Sequence, residues 1–263
     1  MPTRSDPWPN GTPCWVDVSV PDVEAAKSFY GPVLGWPEFV DTGEDFGHYN
    51  IATVNGQSVA AIGPLQYDGQ TSSWTVYIAS DDVDGSAKLI ADNGGTVVAP
   101  PMDIPGSGRM LIAQDPQGAA FGVWQSAGMH GSGLYMEPGA LAWTDVRTSD
   151  PDGARAFYSA VFDYRFEPMD GAPEDYQLIR FDGARDGEAV GGIGGFMGGP
   201  EGGGQPHWLS YFSVADADAS AAAATAGGGS LQGEPMDTPF GRMIGITDPF
   251  GATFFVVGAP PSA

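Results

Sequence analysis

The residues best suited to chemistry come as a repeated pair, Trp15-Val16-Asp17 and Trp143-Thr144-Asp145. On an extended chain, a carboxylate two positions from an indole shares its face. An aspartate on an inner sheet face needs a partner, and burial raises its pKa toward general-base use. Asp17 and Asp145 are therefore the candidate catalytic groups. The competing reading is structural: each carboxylate binds Arg109, Arg242 or a neighbouring backbone N–H. Those arginines recur in Gly-Arg-Met, at Gly108–Met110 and Gly241–Met243. Equally, they suit bidentate binding of a substrate carboxylate or carbonyl.

Other reactive groups are few. The histidines are His48, His130 and His207, and they are not spaced as metal ligands on one element. His207, just before Trp208, is a candidate cavity acid or base; the alternative is an ordinary hydrogen-bonded histidine at a loop–strand junction. Cys14 is the only cysteine, so an intrachain disulfide and a cysteine-based zinc site are excluded. Beside Trp15 at a strand start, it is expected to be a buried, inert thiol. The glycine-rich stretch Gly194–Gly204 lacks the Lys-Ser/Thr of a phosphate loop and reads as a cavity lid or a plain linker. No Gly-x-Ser-x-Gly elbow occurs.

The elements that must hold these groups are duplicated. WVDVSVPDVEAAKSFY, Trp15–Tyr30, returns as WTDVRTSDPDGARAFY, Trp143–Tyr158. Trp74 corresponds to Trp208, and Asp115-Pro116 to Asp248-Pro249. Differences in spacing fall in glycine-rich loops, as expected of two homologous domains. The boundaries read as 10–127 for the first domain, 128–137 for a linker and 138–260 for the second. Within each, a strand is followed by an amphipathic helix. Asp22 or Asp150 caps it, and Pro151 suits the first helical position. Strand-like runs around Asn55-Gly56 form a hairpin. A second strand, helix and strand set closes on Asp-Pro-x-Gly. Each domain thus reads as β-α-β-β-β twice over, an α+β fold with helices on one sheet face and a concave cavity on the other.

Composition limits the partners. The chain has 263 residues, 42% of them hydrophobic, with 33 acidic against 10 basic side chains and a net charge of -23. Such a field repels phosphate backbones and anionic lipid, so nucleic acid and membrane partners are not expected. The first residues carry no apolar signal segment, and the expected location is the cytoplasm, as a monomer or homodimer.

The order of these motifs resembles the vicinal oxygen chelate superfamily, which includes glyoxalases, bleomycin-resistance proteins and extradiol dioxygenases. The markers are Val-Pro-Asp…Phe-Tyr after the first strand and Asp-Pro-x-Gly before the last. GTPCWVD, FYGPVLGW and DPQGAAFGVWQ are similar to a two-domain actinobacterial branch with hydroxylase- and glyoxalase-labelled members, among them a mycobacterial culture-filtrate antigen. The resemblance implies a divalent metal held by His, Glu or Gln on the first, fourth, fifth and eighth strands. The matching positions here are Trp15 and Trp143, Ala60 and Gly191, Thr75 and Leu209, and Gly122 and Phe255. None is a metal ligand apart from the weak donor Thr75. No metal and no other cofactor is therefore expected.

Strand alternation puts Trp15, Asp17, Thr75, Tyr77, Gly122 and Trp124 on the concave face of the first domain. Trp143, Asp145, Leu209, Tyr211 and Phe255 take that face in the second. Rings with a few polar groups suit a flat, partly apolar small molecule, with room left over Ala60, Gly122 and Gly191; alternatively the rings simply fill the sheet interior. Trp15, Tyr77, Arg109, Trp124, Trp143, His207, Tyr211, Arg242 and Phe255 are thus the candidate binding residues. The leading expectation is a metal-independent binder of a small, partly aromatic metabolite. The rivals are a metal-free lyase, isomerase or tailoring hydroxylase using Asp17 or Asp145 as base, and a regulatory interaction protein.

Overall fold

A computed structural model describes residues 6–184, 188–197 and 204–259. The first half holds β1 (Pro13–Val20), α1 (Val23–Leu34), β2 (Glu38–Asp41), β3 (Asn50–Val54), β4 (Gln57–Pro64), β5 (Ser73–Ala79), α2 (Val83–Asp92), β6 (Thr96–Ile104), β7 (Gly108–Gln114) and β8 (Ala120–Ser126). The second half repeats them as β9 (Leu141–Arg147), α3 (Pro151–Phe162), β10 (Arg165–Pro168), β11 (Gln177–Arg180), β12 (Gly191–Gly194), β13 (His207–Ser213), α4 (Ala217–Ala226), β14 (Ser230–Thr238), β15 (Gly241–Thr247) and β16 (Thr253–Gly258). Each half forms one eight-stranded sheet, in the orders β2-β3-β4-β1-β5-β8-β7-β6 and β10-β11-β12-β9-β13-β16-β15-β14. The expected α+β fold, with βαβββ modules in tandem, is the one observed.

Local chemistry explains the boundaries. Asp22, Asp82, Asp150 and Asp216 each accept a backbone N–H of the first turn that follows, so each of the four helices begins at an aspartate cap. Gly35, at φ +71°, ends α1 in the left-handed region that suits glycine. The Asn55-Gly56 turn has positive φ at both residues, which joins β3 to β4 as a tight hairpin.

The helix-bearing faces of the two sheets meet. Helix α1 packs on α4, α2 on α3, and β5 on β13, so one hydrophobic core runs through both domains. Trp74 lies 4.9 Å from Phe212 and Tyr30 5.5 Å from Phe254, ring to ring across the boundary. The two repeated motifs interlock here. Asp115 Oδ1 accepts the N–H groups of Gln117 and Ala119, holding its own Asp-Pro-x-Gly turn, while Oδ2 accepts the Tyr158 hydroxyl at 3.3 Å. Reciprocally, Asp248 holds its own turn and accepts the Tyr30 hydroxyl at 2.7 Å. Burial raises the pKa of both tyrosines well above the usual phenol value, so they remain donors. Tyr30→Phe is expected to cost roughly 1.5–3 kcal/mol in urea unfolding, the range for a buried hydrogen bond to a charged group. A change below about 0.5 kcal/mol would show that this bond contributes little to domain docking.

The concave faces therefore point away from each other. The first part of the segment between β8 and β9 packs on the first domain. Met129 packs on the first concave face with Trp8, Trp15, Tyr77 and Trp124. The indoles of Trp124 and Trp8 donate to the Met129 and Ser132 carbonyls, and Ser132 N–H donates to the Cys14 carbonyl. Cys14 is buried, as expected, and burial pushes its thiol pKa far above the usual range.

Candidate functional site

The cavity lies on the second concave face. It has a volume of about 1880 Å³, larger than the roughly 300–1,000 Å³ of common small-molecule pockets. Strands β9, β11, β13, β15 and β16 build its floor, which carries Trp143, Asp145, Arg147, Tyr211 and Met243. The interdomain segment supplies Tyr135 and Met136, the β10–β11 loop supplies Tyr176, and the β14–β15 hairpin supplies Phe240.

Asp145 is the centre of the floor and is 2% exposed. Its Oδ1 accepts from Trp143 Nε1 at 2.9 Å and from the Tyr176 hydroxyl at 2.8 Å. Its Oδ2 accepts from the Tyr211 hydroxyl at 2.7 Å and from Arg147 Nη2. Four donors saturate the four lone-pair positions of the carboxylate. Burial raises the pKa of Tyr176 and Tyr211, and the Asp145 charge adds to it. Burial works against the Arg147 charge, but Asp145 and the phenols more than offset it and raise its pKa. The guanidinium also lies over the Tyr176 ring, 5.1 Å from its centroid, in cation–π geometry. Its Nε is buried, with no hydrogen-bond partner among the described residues.

The first domain repeats this network without the cation. Asp17 Oδ2 accepts from Tyr49 at 2.8 Å and Tyr77 at 2.9 Å, and Trp15 donates to the Tyr49 hydroxyl. Burial raises the Asp17 pKa to about 6, with the Tyr49, Tyr77 and Thr75 hydrogen bonds pulling it back. At the position of Arg147 the first repeat has Ser19.

The structure brings together Trp143, Asp145 and Tyr211 of the residues expected to form the second-domain site. Phe255 stacks beneath Tyr211, 5.1 Å ring to ring, with Leu209 beside it, in the packing under the floor. In the first domain Trp15, Tyr77 and Trp124 share a face, as alternation requires, but lie under Trp8 and Met129.

Three expectations are corrected. Arg109 and Arg242 face neither aspartate of the repeated pair. Arg109 pairs with Asp84 and Asp103, and Arg242 with Asp218 and Asp237, because alternation along β7 and β15 turns the methionine of Gly-Arg-Met inward instead. His207 is exposed at the start of β13, with Nδ1 against the Gln205 carbonyl 2.8 Å away, outside the cavity. Finally, the fourth-strand positions on the concave face are Ala61 and Gly192, paired with Asp17 and Asp145, whereas Ala60 lies in the core behind the sheet and Gly191 faces Thr144 there.

These small residues make room for tyrosines rather than for a ligand. A Cβ on Gly192 would lie 2.1 Å from the Tyr176 hydroxyl, and one on Gly122 would lie 2.1 Å from the Tyr77 ring. The residues missed from sequence, Arg147 and Tyr176, had signals. Arg147 is two positions after Asp145 on the same strand face, and Tyr176 repeats Tyr49. The reading of Gly194–Gly204 as lid or linker falls largely on residues 198–203, outside the described residues. Phe196 and Met197 at its start line the cavity.

A divalent metal does not fit this floor. The four strand positions carry Trp143, Gly192, Leu209 and Phe255, none of them a metal ligand, and the neighbouring carboxylate of Asp145 is already saturated. Among the described residues no group of three or more His, Cys, Asp or Glu side chains converges for a metal ion. Among them, too, no helix is long and apolar enough to cross a membrane.

Comparison with known proteins agrees with this architecture. The chain is 41% identical to "Putative glyoxylase CFP32" of Mycobacterium tuberculosis over 269 residues, covering 99% of each. It is 36% identical to "Anthracycline biosynthesis protein DnrV" of Streptomyces peucetius, covering 94% of this chain and 93% of that one. In fold it is similar to the Mn(II)-bound glyoxalase of Novosphingobium aromaticivorans, with a TM-score of 0.64 at 16% identity over 95% of this chain and 83% of the other. Residues 14–123 and 140–256 match the same family model, one match per domain, and the chain belongs to the glyoxalase/bleomycin resistance protein/dioxygenase superfamily.

Proposed function

We propose that this chain binds one small, planar, oxygen-bearing aromatic metabolite per molecule, in the second-domain cavity and without a metal. The observation that carries the reading is the saturated Trp143–Tyr176–Tyr211–Arg147 cluster around Asp145 at the base of a cavity of about 1880 Å³. Rings held in place by a buried carboxylate form a stacking surface with little left to reorganise. The part of the Arg147 guanidinium that remains exposed at the cavity gives a ligand carbonyl or hydroxyl its polar anchor. The relative DnrV, an anthracycline biosynthesis protein by name, supports a polycyclic aromatic ligand.

Binding without turnover fits this floor better than catalysis. An aspartate with four donors has no free lone pair for a substrate proton, and both phenols are held in their protonated form by burial beside a charge. In the first domain Asp17 is buried and the rings beside it, Trp15 and Tyr77, pack with Trp8 and Met129, which supports a scaffold role for that half.

Titration with 1,4-dihydroxyanthraquinone, followed by tryptophan fluorescence, tests the reading. One equivalent is expected to bind per chain, with an unchanged Kd after treatment with a chelator. Trp143→Ala is expected to weaken binding roughly tenfold or more, the scale of a buried aromatic anchor. Failure to bind, two equal sites, or recovery of binding only with added metal would each overturn it.

A further inference from the structure

We propose that the ligand carries a protonated amine on its aromatic framework, and that Glu174 and Glu188 at the cavity wall select for it. The inference rests on the second-domain cavity being the ligand site, and it adds the charge class of the occupant.

The lining is unbalanced in charge. Five carboxylates line the cavity, from Asp145, Asp170, Glu174, Asp175 and Glu188, against two guanidiniums, from Arg147 and Arg180. Both guanidiniums already have carboxylate partners, Asp145 for Arg147 and Glu167 for Arg180. The Asp175 carboxylate takes the Gly195 N–H. Among the described residues no ion pair involves Glu174 or Glu188, and both are exposed beside the cavity.

The arrangement has a direction. The base holds neutral phenols, an indole and a charge-compensated Asp145–Arg147 pair, which suits an uncharged, oxygen-bearing ring system. Apolar residues that a soluble chain gains nothing by exposing stand at the same cavity: Met136 is 62% exposed and Phe240 is 66% exposed. These side chains come from different segments, the interdomain stretch and the β14–β15 hairpin, and a flat hydrocarbon surface between them would cover both. A cation on that surface then meets uncompensated carboxylates, where low-dielectric walls focus the field. An anionic ring system of the same shape meets the same carboxylates as repulsion, on a chain of net charge -23.

Matched three-ring probes separate the possibilities: 9-aminoacridine, cationic near neutral pH, anthracene-9-methanol, neutral, and anthracene-9-carboxylate, anionic. The cation is expected to bind at least tenfold more tightly than the neutral probe, and the anion more weakly still, with the spread shrinking in 0.5 M NaCl. Glu174→Gln combined with Glu188→Gln is expected to remove most of the cation's advantage and leave the neutral probe unchanged. Glu44→Gln combined with Asp68→Asn, the same charge change on the exposed surface of the first domain, is expected to do neither. Equal affinity for all three probes, or equal losses in both double variants, overturns the charge selection while leaving the cavity reading intact. If no probe binds, the cavity reading itself falls.

Discussion

Asp145→Ala is expected to destabilise the protein by about 3–5 kcal/mol, the cost of leaving a buried charge without its partner. The substitution takes the carboxylate from four donors, Trp143 Nε1, the Tyr176 and Tyr211 hydroxyls and the Arg147 guanidinium, and leaves the Arg147 charge without its counter-ion. The Arg147 side chain is only 13% exposed, so water cannot take the place of Asp145 without opening the floor. The loss is therefore expected to be greater than that of Asp17→Ala, because among the described residues no cation pairs with Asp17. The double variant Asp145→Ala with Arg147→Met is expected to recover a large part of the loss, since an apolar pair replaces an orphaned charge. Urea unfolding of the two single variants and the double measures this directly. A single-variant cost below about 1 kcal/mol, or a double variant no more stable than Asp145→Ala, would show that the pair is not the organising element of the floor.

Wild-type stability is also expected to fall by roughly 3 kcal/mol between about pH 4 and pH 6 through Asp17 alone, at about 1.36 kcal/mol per unit of pKa shift. The pKa of Asp17 rises on folding from 3.8 to about 6, because burial without a counter-cation penalises the carboxylate. The fold therefore prefers the protonated acid. Its contribution is full below the unfolded pKa of 3.8 and is lost as pH rises through about 6. Asp17→Asn keeps a neutral acceptor for Tyr49 or Tyr77 and removes the titration. Urea midpoints of wild type and Asp17→Asn from pH 4 to pH 7.5 give a difference curve in which other acids cancel. That curve is expected to slope against the wild type as pH rises and to flatten above about pH 7. A flat difference throughout would show that Asp17 is solvated or compensated in the folded protein.

Both predictions come from a contrast that the sequence displays but does not interpret. Trp15-x-Asp17 and Trp143-x-Asp145 look equivalent, and Ser19 and Arg147 differ two residues later. On a strand of period two, that one position decides whether the buried carboxylate faces a cation. The result is a protonatable acid in one domain and a compensated pair in the other.

What the sequence determined by itself is local and periodic. The repeat, the aspartate caps, the Asn55-Gly56 hairpin and the assignment of Trp15, Asp17 and Tyr77 to one face follow from propensities and two-residue alternation within single elements. The resemblance to the superfamily, set beside the sequence, adds that the strand positions it implies for a metal carry no strong ligand residue. Only the tertiary structure decided what depends on how separate elements meet. Register moved the fourth-strand positions by one residue, to Ala61 and Gly192, and a slip of one reverses the face. Which carboxylates pair with the Gly-Arg-Met arginines depended on helices α2 and α4 supplying Asp84 and Asp218. The covering of the first Trp-x-Asp face depended on Trp8 and Met129 folding back over the first sheet. These are contacts between residues far apart in the chain, and no pattern within a strand or helix encodes them. Packing around the two Trp-x-Asp pairs left one copy covered and the other lining a cavity.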